Sequence, residues 1–149
     1  MIPIFCAAAA IAGVVLSGCS QQKPAAQRQQ APDLYTSLAR PGAHVSPSAA
    51  RDIIAIYRTN KGLPLLRLDP ALQRIAETQA RAMAHAGGAN RAVRSGLGKL
   101  LAREKVSYKT AIQNVSSGYH TLPEAFAGWR QSKPHNANML NRRVRRMGI

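Results

Sequence analysis

In "SPSAARDIIAIYRTNKG", Ala49, Ile53, Ile56 and Tyr57 recur at the spacing of one helix face. Ser46 precedes the run as an N-cap, Pro47 suits the first turn, and Gly62 can end the helix. After "LPLLRL" the same punctuation returns: Asp69 caps, Pro70 opens, and Leu72, Ile75, Ala76 and Met83 form one stripe before Gly87 and Gly88. The periodicity then fades, although "GLGKLLAREK" predicts a short helix behind Ser95. "AIQNVSSGY", with Ile112 and Val115 among small polar residues, reads as extended or turn. Thr121 and Glu124 have capping-box spacing, and Leu122, Ala125, Phe126 and Trp129 fall at i, i+3, i+4 and i+7, which predicts a third main helix with Trp129 in the core. Pro134 is expected to stop this helix near Ser132, with "HNANML" leading into a strand toward "RMGI".

The N-terminal run "MIPIFCAAAAIAGVVLSGC" is apolar throughout, short for a bilayer span, and ends in small residues, so it reads as a targeting segment. Leu16, Ser17, Gly18 and Cys19 resemble the lipobox of bacterial lipoproteins, in which the cysteine thiol is lipidated and the chain is cut before it. The Lys or Arg that normally precedes such a run is missing. Residues 20–33, "SQQKPAAQRQQAPD", have the Gln, Ala and Pro content of a solvated tether. The expected organisation is a signal peptide over 1–18, a lipidated Cys19 with a flexible tether over 19–45, and a folded head over 46–149. Because Cys6 and Cys19 both precede the head, no disulfide can staple it, and it must rest on its core.

Charge narrows the partners. Lys and Arg number 21 against 6 acids, for a net charge of +15. The excess gathers in "RAVRSGLGKLLAREKVSYK" and "NRRVRRMGI"; as a strand, the latter would send Arg143 and Arg145 to one face and Arg142, Val144 and Arg146 to the other. Such a surface either keeps the protein soluble or attracts an anion, and at a cell envelope the available anions are lipid head groups, lipopolysaccharide phosphates and wall polymers. Nucleic acid is the competing partner. Against it stand the lack of a helix-turn-helix or zinc-knuckle pattern and an aromatic content of 5%, mostly on helix stripes.

Four blocks in order, the "GLPLLRLDPALQRIAETQARAMA" helix, the "QNV" turn, "GWRQSKPHNANML" and the closing "RMGI", resemble the CAP superfamily of cysteine-rich secretory, antigen 5 and pathogenesis-related proteins, especially its bacterial branch. The resemblance runs from about Ala49 to Ile149. It implies an α+β fold, an α-β-α sandwich, in a secreted or envelope-exposed protein. It also implies a cleft in which two histidines and two acidic residues can hold a divalent metal, a normal first shell for zinc or a similar ion. His135 matches the later histidine. Gln113 stands where the family has the Glu of its "ENV" turn, Ser132 matches the second acidic position, and the earlier histidine falls near Asn90 or Arg91.

By that comparison His135 is the only matching ligand. Amide oxygens are neutral donors and Arg91 would repel a cation, so no cofactor is expected unless His85 and His120 complete a site. The imidazole of His135 is otherwise read as structural, tying the loop after the Trp129 helix to backbone groups. Nucleophilic catalysis is equally thin: the head has no cysteine, and Ser132 has no acidic residue in its motif. Of Asp52, Asp69, Glu77, Glu104 and Glu124, two are already assigned as caps. The sequence therefore points to a non-enzymatic, membrane-tethered binding module for an anionic envelope component or lipid; the alternative is a metal-dependent hydrolase around His135. Family members continue past "RMGI" through about two more strands. The last strands of the sandwich are thus expected to be missing, leaving a truncated product or an association-prone domain.

Overall fold

Capping begins the helices where the sequence places them. The computed structural model describes residues 33–40, 42–88 and 96–149; the N-terminal segment with Cys6 and Cys19, most of the tether, Asn90 and Arg91 lie outside the described residues. A 3-10 turn at Asp33–Tyr35 is followed by α1 (Pro47–Thr59), β1 (Arg67–Leu68), α2 (Pro70–His85), α3 (Leu97–Arg103), α4 (Leu122–Gln131), α5 (Lys133–Met139) and β2 (Arg146–Met147), an α+β architecture as expected. Ser46 Oγ accepts from Ala49 N at 3.4 Å, and Asp69 Oδ1 from Ala71 N at 2.9 Å and Leu72 N at 3.1 Å. Thr121 Oγ1 accepts from Glu124 N at 3.4 Å, while Glu124 Oε2 reaches back to His120 N at 2.9 Å. The bonds to Ser46, Asp69 and Thr121 each satisfy an N–H that a first helical turn leaves without an intrahelical partner.

Three sequence expectations change. In α1 the deeply buried positions are Ala50, Ile54 and Arg58, one place along from the expected stripe, and Ile56 is 63% exposed. The reason lies at Arg58, whose guanidinium meets three carbonyls that need a donor. Its Nε donates to Pro64 O at 3.0 Å and its Nη1 to Met139 O at 2.7 Å and Asn141 O at 3.1 Å. Second, the chain forms a further helix over Lys133–Met139 before it reaches the expected strand, which comes at Arg146–Met147 in "RMGI". Ser132 (φ −83°, ψ 114°) interrupts the path of α4 for one extended residue, and Pro134 then sits in the first turn of α5, where its missing N–H forfeits no bond. Third, Arg142 and Arg143 occupy a turn, with Arg143 N donating to Asn141 Oδ1 at 2.8 Å, so the alternating arginine faces of a strand do not form.

Among the described residues the sheet consists of β1 and β2, paired in parallel with Arg67 opposite Arg146 and Leu68 opposite Met147. Arg67 N donates to Arg145 O at 3.0 Å and Asp69 N to Met147 O at 2.9 Å. Just past β2 the backbone presses on the start of α2: a Cβ on Gly148 would overlap the main chain of Leu72 and Gln73. The Gln73 amide takes both backbone groups of Ile149, accepting from its N at 3.0 Å and donating to its O. The glycine of "RMGI" is thus set by a close approach of two backbones.

Ala50, Ile54, Leu66, Leu122, Phe126, Met139 and Met147 form the core, with Trp129, Tyr57, Ile53 and Val144 partly buried against it. Phe126 and Trp129 meet edge to face at 5.2 Å between ring centroids, so Trp129 is a core residue of the third main helix as its spacing predicts. Leu101 of α3 is buried as well, and Arg74 Nε of α2 pairs with Glu104 Oε2 at 2.8 Å beside it. These elements hold α2, α4 and α5 around the segment that carries Gln113.

Candidate functional site

Residues 111–116 have no regular secondary structure, so their backbone polar groups must be satisfied by neighbours. Amide side chains supply much of this. Asn138 Nδ2, on α5, donates to Gln113 O at 3.1 Å and Asn114 Oδ1 at 3.0 Å; Asn114 Nδ2 donates in turn to His135 O at 3.0 Å. From α2, the buried Gln79 gives its Nε2–H to Gln113 Oε1 at 3.0 Å. Trp129 Nε1 of α4 closes the set on Ser116 Oγ at 3.0 Å. The "QNVSS" turn is therefore stitched to three helices, and Gln113 lies in the weave.

His135 stands in the first turn of α5, partly buried, with its ring centroid 6.4 Å from that of Trp129. The expected tie between its helix and the neighbouring turn exists, but it runs through the backbone carbonyl. Among the described residues the imidazole makes no hydrogen bond. Ser132, the cap between α4 and α5, is held by its backbone, its N donating to Gly128 O at 3.1 Å and its O accepting from Asn136 N at 2.8 Å. Its hydroxyl makes no bond to His135, so no serine–histidine pair forms. His85 ends α2 exposed to solvent, and His120 is exposed just before α4. Asn90 and Arg91 lie outside the described residues.

Among the described residues the donors do not fit a divalent cation. Gln113 Oε1 already accepts from Gln79, Ser132 is an unactivated hydroxyl, and no three His, Cys, Asp or Glu side chains converge among the described residues. The five carboxylates considered as catalysts are all engaged. Asp52 pairs with Arg51, Asp69 with Arg146, Glu77 with Arg81, and Glu104 with Arg74 and Arg103, while Glu124 caps α4. A surface hollow of about 290 Å³ lies elsewhere, between Tyr57, Ala127, Arg130 and Gln131, with the Arg130 guanidinium 5.0 Å over the Tyr57 ring.

Arginine dominates a second region. Arg67, Arg142, Arg143 and Arg145 are exposed and form no ion pair among the described residues. Arg146 differs, donating to Asp69 Oδ2 and to Ser107 O, both at 2.8 Å. Sequence reasoning missed Arg58 and Gln79. The available signal was position, for Arg58 follows Ile54, and Gln79 follows Ile75, by one helical turn on a buried stripe.

Residues 51–149 match the model of the cysteine-rich secretory protein family. An extracellular protein containing an SCP domain from Bacillus anthracis is 26% identical with a TM-score of 0.60, the match covering 64% of this chain and 33% of that one. A cysteine-rich secretory protein from Staphylococcus aureus is 27% identical with a TM-score of 0.58, covering 68% and 33%. The chain thus spans about a third of the length of these two. An outer surface protein from Borrelia burgdorferi, 16% identical with a TM-score of 0.52 over 68% of this chain and 76% of its own, shares the fold. No curated protein matches the chain.

Proposed function

The chain belongs to the cysteine-rich secretory protein family, and we propose that it serves there as a non-enzymatic, envelope-facing binding module whose partner is anionic. The observation that carries this reading is the charge distribution. The chain carries a net charge of +15, and its head commits Asp52, Asp69, Glu77 and Glu104 to arginines while Arg67, Arg142, Arg143 and Arg145 form no ion pair among the described residues. A positive surface of this kind concentrates anions and speeds their capture. Lack of chemistry at the family cleft points the same way: Gln113 and Asn138 act as structural amides, and the His135 imidazole has neither a nucleophile nor an orienting carboxylate bonded to it among the described residues.

Envelope exposure accords with the descriptions of the solved relatives as extracellular or outer-surface proteins, and with "LSGC" at the end of an apolar run. Lipidation at Cys19 would leave the tether to position the head near a membrane. Two measurements test the reading. Labelling cells with a clickable fatty acid should mark the protein, and Cys19→Ala should abolish the mark. Purified protein should be retained on anionic envelope fractions at low salt and released near 1 M salt, where the screening length shrinks to about 3 Å. Equal retention on neutral and anionic fractions would refute the anionic partner.

A further inference from the structure

We infer that the hollow between α1 and α4, lined by Tyr57, Ala127, Arg130 and Gln131, is a binding site for a compact monocarboxylate, a carboxylate carried on a short apolar body such as a single ring. This site is separate from the arginines on which the proposed function rests, and either can stand without the other.

One wall of the hollow is fixed and one group in it is free. Tyr57 packs against the core and its hydroxyl donates to Asn136 Oδ1 of α5 at 2.9 Å, so the ring cannot leave its place without breaking that bond. The Arg130 guanidinium stands over this ring, 5.0 Å from its centroid. Cation–π contact sets where the guanidinium sits yet uses none of its N–H donors, and among the described residues these meet neither a carbonyl nor a carboxylate. A donor group placed before its ligand arrives loses less freedom on binding.

Charge and size then select the ligand. Of the four lining side chains only Arg130 is ionised. A single guanidinium matches a single carboxylate fork to fork, whereas a dianionic phosphate would keep half its charge uncompensated. Tyr57 and Ala127 supply apolar surface beside the charge, and Gln131 an amide. The volume of about 290 Å³ is at the low end of small-molecule sites, which run from about 300 to 1,000 Å³. An adjoining space shares Tyr57 and Arg130 and is otherwise bounded by Ile53, Ile54, Phe126 and Met139; it measures about 10 Å³, room for no more than about one water. A long acyl chain therefore finds no room toward the core, and its tail would stay in water.

The test titrates the isotope-labelled full chain with phenylacetate, followed by NMR. Shifts should concentrate at Tyr57, Ala127, Arg130 and Gln131 and saturate with a Kd on the order of 1 mM, as suits so small a ligand. 2-Phenylethanol, similar in size without the charge, should bind at least about tenfold more weakly, a comparison that needs no variant. Arg130→Gln should lose about tenfold or more, the worth of charge-assisted hydrogen bonds. Arg130→Lys, which keeps the charge but not the fork, should recover only part of the loss. Arg143→Gln, equal in charge change and outside the hollow, should bind as wild type does. Retention of Arg130→Gln on anionic envelope fractions should be unchanged, so that failure here and failure of the proposed function read separately. Shifts spread over all the arginines, equal losses in Arg130→Gln and Arg143→Gln, or equal binding of phenylacetate and 2-phenylethanol would overturn the site and leave the proposed function standing. Hexanoate and decanoate test the size: their affinities should differ by less than about twofold, whereas a gain of about fourfold for each added CH2 would show that the core opens to an acyl chain and would overturn the compact ligand.

Discussion

Replacing Arg58 with methionine removes a fully buried cation that has no carboxylate partner, so two large effects oppose each other. Methionine fills comparable volume and removes the cost of keeping the guanidinium out of water, an effective penalty of several kcal/mol. It also removes a relation that raises this cost, since burial first and Arg145 second push the Arg58 pKa down. On the other side, the carbonyls of Pro64, Met139 and Asn141 lose their shared donor, that of Met139 in a buried place and the other two in partly buried ones. Each such loss costs about 1–3 kcal/mol. Because Nη2 of the native guanidinium is itself buried without a partner, part of the penalty is already being carried and is recovered on substitution. The carbonyl losses should win by about 2–4 kcal/mol, or roughly 10–20 °C in Tm for a domain of this size. Arg58→Lys, which keeps the charge but not the fork, should fall between wild type and Arg58→Met. Thermal and urea unfolding followed by circular dichroism measure the difference. It should be flat from pH 5 to 9: a guanidinium with a lowered folded pKa stays protonated in both states there, and its cost lifts only at alkaline pH between the folded and unfolded values. An Arg58→Met protein as stable as wild type would refute the reasoning and show that the buried charge, not the carbonyls, decides the balance.

Asp69, held below the usual carboxylate range by the Leu72 N–H and by Arg146, contributes stability that is complete above about pH 4, its unfolded value, and is lost as pH falls through the folded one. Asp69→Asn should keep the cap yet flatten the acid limb of the urea midpoint between pH 2 and 5, and superimposable limbs would remove Asp69 from the account. Gly148→Ala drives a methyl into the α2 backbone at Leu72 and Gln73 and should cost about 1–3 kcal/mol, whereas Gly128→Ala meets the hydroxyl and ring edge of Tyr119, an exposed side chain that can swing away, and should cost less than about 1. Equal urea midpoints for the two variants would contradict the rigid contact at Gly148. Trp129→Phe keeps the ring against Phe126 but leaves Ser116 Oγ without its donor, for an expected loss of about 0.5–1.5 kcal/mol that Ser116→Ala should largely reproduce.

Local chemistry was the legible part of the fold. Ser46, Asp69 and Thr121 cap because an acceptor two or three residues ahead of a free N–H acts within one turn and needs no knowledge of the rest of the chain. Pro134 misled because the same ring that ends one helix is favoured in the first turn of the next. Which applies depends on whether Ser132 can break the path in a single residue, and it does. The pairing of β1 with β2 was not readable at all. Two residues of strand carry no periodicity, and their register is set by Gly148 lying on α2 and by Gln73 holding Ile149.

At the site, family comparison selected His135, Gln113, Ser132 and Asn90, and the first three are held by backbone ties or amide bonds among the described residues. What it did not select were the polar residues at apolar register positions. An arginine one turn beyond Ile54, or a glutamine one turn beyond Ile75, is scored as a flaw in the stripe by any reading that counts only apolar matches. Yet a helix face that must pack against an irregular segment has to offer donors to its carbonyls and side-chain oxygens, because nothing within that segment can. Arg58 serves the turns around residues 64, 139 and 141, and Gln79 serves the Gln113 segment. A polar residue in phase with a buried stripe, in a chain with long non-periodic stretches, is therefore a positive signal for the place where such a stretch is bound.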